Sequence, residues 1–145
     1  MRCSRACLSG FLLLIAGCSA GFQGIKFRAE GPPIAEAYRS LSLALSVDGF
    51  KIRTADPRNF SVETDWRELS SVEKPAEAQS VEQAARISLR LNARGRMYDV
   101  FLLPTIRSIN GSDTTVFPVP ATHPLRLKWQ RTLTRLLRKE QKEED

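Results

Sequence analysis

The chain has 145 residues, with 22 Lys or Arg against 16 Asp or Glu, a single histidine and three cysteines. That length holds one domain and leaves no room for two. The formal charge is +6, or +4 without Arg2 and Arg5 of the first 17 residues, a mild excess that suits a surface near anionic lipid or polysaccharide but is not the dense basic stripe of a nucleic-acid binder.

Residues 8–17 read LSGFLLLIAG, preceded by Arg2 and Arg5. The run is half of the roughly 20 apolar residues that a transmembrane helix needs, and its order, basic then apolar then small, is that of a secretory signal. Ile15-Ala16-Gly17-Cys18 resembles the lipobox of bacterial lipoproteins, with Ile where Leu is commoner. The resemblance implies removal of residues 1–17 as a signal peptide and a covalent lipid on Cys18, whose two or three acyl chains meet the double-signal requirement for stable membrane anchoring. Ser19 in place of Asp implies, by the same resemblance, delivery to the inner leaflet of the outer membrane, facing the periplasm. Cys3 and Cys7 fall in the removed segment. What remains has no disulfide, no zinc-type cysteine cluster and no thiol nucleophile.

Residues 18–32 read as a lipidated tether punctuated by Gly and Pro, and a single domain is expected over 33–141. Ile34, Tyr38, Leu41 and Leu45 share one helical face. Pro33 suits a first helical position and Gly49 the residue past the end, which predicts a helix over 33–47. Strand alternation follows in Phe50 and Ile52, and again in Phe60, Val62, Thr64 and Trp66 after a Pro57-Arg58-Asn59 turn. Residues 68–83 are polar and read as a long connection with room for one helical turn. Ile87, Leu89, Leu91 and Ala93 alternate up to a tight hairpin at Arg94-Gly95-Arg96. A strand then runs from Met97 to Pro104, and an Asn110-Gly111-Ser112-Asp113 turn leads to an edge-like TTVF segment. Leu125, Trp129, Leu133, Leu136 and Leu137 line a second helix from Pro124 to about Lys139. Thr122 or His123 sits at its cap, and residues 142–145 form a frayed tail. The sum is an α+β domain: four or five mainly antiparallel strands, with an N-terminal and a C-terminal helix packed on one face.

The chain carries little that resembles catalytic chemistry. His123, before a proline at a helix start, is a cap rather than a base. Glu63 and Asp65 are the best carboxylate pair, two apart on a strand, and would suit acid–base work on a glycosidic bond. Arg86, Ser88, Arg90, Asn92 and Arg94, at period two on a neighbouring strand, favour cross-strand pairing of those acids with arginines instead. No catalytic residue, metal ligand or cofactor other than the covalent lipid is assigned. If Asp99 faces solvent, Phe101 and Leu103 share its face while Tyr98, Val100 and Leu102 enter the core. Phe101 and Leu103 are then either covered by the tether or the long connection, or form a patch for a partner. Trp66 joins them as a candidate interaction residue.

The stretch AYRSLSLALSVDGFKIRTADPRNFSVETDW resembles the helix, Gly-Phe, strand, Asp-turn and strand ending in Thr-Asp-Trp of helix-grip domains in BamC-like outer-membrane lipoproteins. That resemblance implies a non-catalytic accessory of the β-barrel assembly machinery. Such proteins carry a long extended segment and two domains, where this chain has a short tether and one. The expected function is therefore a lipid-anchored envelope module that binds another envelope protein. A binding module for a lipid or other hydrophobic ligand is the alternative, and a cell-wall hydrolase comes third.

Overall fold

A computed structural model describes residues 22–138. Cys18, the signal segment and the 142–145 tail lie outside the described residues. The elements in chain order are β1 (Ile25–Ala29), α1 (Ile34–Val47), β2 (Ile52–Asp56), β3 (Ser61–Thr64), β4 (Arg67–Glu68), β5 (Glu82–Arg94), β6 (Met97–Asn110), β7 (Asp113–Pro118) and α2 (Pro124–Leu137). A short 3-10 turn at Ala76–Ala78 occupies the connection before β5.

Both helices stop and start where their terminal residues dictate. The Gly49 N–H donates to Ser46 O at 3.1 Å and the Phe50 N–H to Leu45 O at 3.0 Å, the paired bonds of a Schellman closure on α1. Gly49 sits at φ 87°, and the residue after it, Phe50, turns into the core. At α2, Pro124 occupies the first turn, and the His123 Nδ1 accepts from the Leu125 N–H at 3.2 Å. Histidine thus caps the helix, one of the two residues expected there.

The sheet is a single open antiparallel layer built on one long hairpin. β5 and β6 pair continuously from Glu82↔Ile109 to Arg94↔Met97, turning at Gly95 (φ 61°). β3 and then β4 run along the free side of β5, with β2 outside β3, while β1 and then β7 run along the free side of β6. The α+β architecture is as expected, with seven strands rather than four or five.

β1 and the two-residue β4 are the added strands, and β6 runs longer than expected. Residues 25–29, expected within the tether, form β1, because Ile25, Phe27 and Ala29 alternate with Lys26 and Arg28 and pair with β6 from Leu102 to Tyr98. The Gly and Pro residues around them masked a strand period only five residues long. β6 also continues through Pro104, where the sequence suggested a stop. Pro104 O accepts from the Val119 N–H at 3.0 Å, so its backbone polar groups point away from β5, towards the gap where β1 has ended and β7 begins. A missing N–H breaks no ladder bond there.

The two helices pack on one face of the sheet around Leu41, Leu45, Phe50, Val62, Ile87, Leu89, Leu102, Ile106, Leu125, Trp129 and Leu133, each at most 2% exposed. Each such side chain contributes roughly 1.5–3 kcal/mol of burial free energy. Their alternation along β5 and β6 determines which residues face the other way.

Candidate interaction surface on the open sheet face

Along β6, Tyr98, Val100, Leu102 and Ile106 point under the helices, so Asp99, Phe101, Leu103, Thr105 and Arg107 point to the opposite face. The register places Arg90 opposite Phe101, Ser88 opposite Leu103 and Arg86 opposite Thr105. Among the described residues no helix covers this second face.

Phe101 and Leu103 lie together on it, both half-buried, in a shallow cavity of about 330 Å³ shared with Phe22, Ser88, Arg90 and Asn92. The Phe22 ring meets Phe101 edge-on with centroids 5.3 Å apart, and Lys26 Nζ stands 5.5 Å from the Phe101 centroid. Coverage by the start of the chain, one of the two expected outcomes, is therefore real but incomplete, since Phe22 itself remains 47% exposed. Gly24 makes this placement possible. A Cβ there would come within 2.5 Å of Leu102 O and 2.4 Å of the Phe22 ring. Arg126, from α2, fixes the same segment by donating to Gln23 O at 2.7 Å and Gly24 O at 3.0 Å.

Trp66 reaches this face by a route the sequence did not predict. Strict alternation from Val62 and Thr64 would send it inward. Between Glu63↔Ser88 and Arg67↔Ala85, however, the edge uses one residue more than β5, a bulge that reverses the facing of everything after it. The Thr64 hydroxyl stabilises the bulge by accepting the Ile87 N–H at 2.9 Å. Trp66 consequently lies on the open face, with the guanidinium carbon of Arg86 4.8 Å from its ring centroid and that of Arg107 4.9 Å away. The same reversal turns Arg67 inward. Its guanidinium stacks on Phe50 at 4.2 Å.

The charges on the open face divide into two sets. Asp99, 3% exposed, accepts from Arg28 Nε at 2.9 Å and lies 3.6 Å from Arg94 Nε. The Arg28 hydrogen bond holds its carboxyl below the usual range. The expected ion-pair ladder of Glu63 and Asp65 with the β5 arginines does not form among the described residues. Glu63 stands opposite Ser88, and Asp65 falls in the bulge with its N–H turned to Lys51 O at 2.9 Å. The bulge also breaks the alternation that would hold the two carboxylates side by side for acid–base chemistry. Arg86 and Arg107 are left without an ion-pair partner among the described residues.

A second polar cluster lies at the rim of the core, where Arg67 donates to Glu73 Oε1 at 2.7 Å and Lys128 engages Asp48 and Glu73. It borders a cavity of about 770 Å³ together with Arg131 and Arg135. Burial pushes the Glu73 carboxyl up, but hydrogen bonds from Arg67, Ser70 and Lys128 outweigh it and leave the carboxyl at about 2. Every member of the cluster is engaged in tying β4, the following loop, the end of α1 and α2 together, so the arrangement works as a clamp. No group of three or more His, Cys, Asp or Glu among the described residues is placed to hold a metal ion. His123 is buried at its cap with Nε2 unpartnered.

Sequence reasoning missed the two arginines that flank Trp66 and the inward role of Arg67. The signal was a threonine followed by Asp-Trp-Arg at the end of a strand, and the bulge that such a strand end adopts is set by tertiary pairing. A scan of the chain against protein-family models, and a search for similar curated proteins, found no match.

Proposed function

We propose that this chain is a non-catalytic, lipid-anchored envelope lipoprotein facing the periplasm, which docks another envelope protein on its open sheet face. The resemblance to BamC-like lipoproteins suggests outer-membrane protein assembly as the process it accompanies. The observation that carries this reading is a sheet face that no helix covers among the described residues, bearing Phe22, Phe101, Leu103 and Trp66, with Phe22 left 47% exposed. Half-exposed aromatic side chains on a flat, rigid support are the usual anchors of protein interfaces. The alternative of a hydrophobic-ligand cleft between helices and sheet has less support, because Trp129, Leu41, Leu45 and Leu133 fill that space.

The test is photo-crosslinking in cells from position 101, with position 39 on the exposed side of α1 as control. The expected result is a specific adduct to an outer-membrane or assembly protein at 101 and none at 39. Equal labelling at both positions, or no adduct at 101, would remove the docking reading.

A further inference from the structure

We infer that the Arg86–Trp66–Arg107 cluster is a carboxylate-binding subsite, and that the partner docked on the open face presents an acidic segment to it. The inference rests on the docking reading above and names the chemistry of the partner. Both guanidiniums are held on one indole, at 4.8 and 4.9 Å from its centroid, and the backbone register brings Arg86 opposite Thr105, two residues from Arg107.

Two cations gathered on one ring repel each other unless an anion joins them, and the described residues supply none at contact distance. Glu63, Glu68 and Glu82 project from the same face, yet none makes an ion pair with either arginine among the described residues. The remaining arginines of the face are different, since Arg28 and Arg94 share Asp99 and Arg90 Nε donates to Asn92 Oδ1 at 3.1 Å. Arg107 Nε is buried without a hydrogen-bond partner, so the terminal Nη groups are the donors that a docked carboxylate would meet. Cation–π contact with Trp66 orients each guanidinium plane. Oriented guanidinium forks match carboxylate oxygens two at a time, which gives geometric selection beyond charge. The apolar half of the segment would lie on Leu103 and Phe101, further along the same strand face.

The experiment is NMR titration of the isotope-labelled domain, Ser19 to Asp145, with an acetylated and amidated (Glu-Leu)4 peptide. Its (Gln-Leu)4 analogue and phosphatidylglycerol vesicles serve as the other two probes. The expected result is a shift of the Trp66 indole N–H and of the Arg86 and Arg107 Nε–H signals with the Glu peptide. The Gln peptide should give at least tenfold weaker binding, and R86Q/R107Q should abolish the response while the buried Trp129 indole signal stays in place to report an intact fold. Equal response to both peptides, or none at these three side chains, would overturn the inference. A response to the vesicles alone would overturn it in favour of a membrane surface. Crosslinking from position 101 separates the two levels: an adduct that persists when the peptides give no shift leaves docking intact and removes only the acidic partner.

Discussion

His123 shows how one residue joins helix formation to pH dependence. Its Nδ1 accepts the Leu125 N–H, which requires that nitrogen to be free of a proton. Burial pushes the imidazole below its ordinary value, against the weaker upward pull of Glu77 and Glu73. The folded protein therefore resists protonation at a site where the unfolded chain takes a proton near pH 6.5. Stability from the neutral cap is fully present above that pH and is lost as pH falls below it. His123→Ala should cost about 1 kcal/mol at pH 8, the usual worth of a side-chain cap. His123→Asn keeps an acceptor that does not titrate, and should hold stability while flattening the decline between pH 7.5 and 5.5. Urea unfolding across that range checks both, and an unchanged slope in His123→Asn would show that the cap does not titrate.

At the scale of elements, the sequence announced ends better than edges. Pro33, Gly49 and Pro124 mark helix boundaries by their own backbone restrictions, so both helices were legible almost to the residue. Gly95 and Gly111, at φ 61° and 62°, likewise fixed two hairpins. β1 and the bulge after Thr64 were not legible, because each depends on what lies alongside: β1 on the free side of β6, and the bulge on a threonine hydroxyl standing in for a ladder carbonyl. The face carrying Phe101 and Leu103 could be read from β6 alternation alone, whereas Trp66 and its two arginines needed the register. The Gly49 closure yields a direct test. Alanine there would be held at φ 87° with its Cβ 3.2 Å from Arg67 Cδ, crowding the side chain that stacks on Phe50. Gly49→Ala should lose about 1–2 kcal/mol, the cost of a left-handed L-residue, seen as a lower urea midpoint with an unchanged m value. An unaltered midpoint would mean that the closure relaxes freely.

For the molecule as a whole, the proposed anchor and the open face constrain each other. From Cys18 to Phe22 is four residues, a reach of roughly 14 Å at full extension, about the radius of gyration of a domain this size. Phe22 rests on Phe101 and the next two carbonyls are gripped by Arg126. A lipid on Cys18 would therefore keep the docking face close to the bilayer and select partners that are themselves embedded in it or beside it. Confinement of this kind raises the effective concentration of a partner without any new contact. Cys18→Ser should accordingly do two things: move the protein from the membrane to the soluble fraction, and sharply reduce the adduct formed from position 101, with circular dichroism unchanged because the described fold begins beyond the cysteine. Membrane retention equal to wild type would rule out the lipid anchor. Release with an undiminished adduct would mean that the open face binds tightly enough by itself, and that the anchor serves delivery rather than recognition.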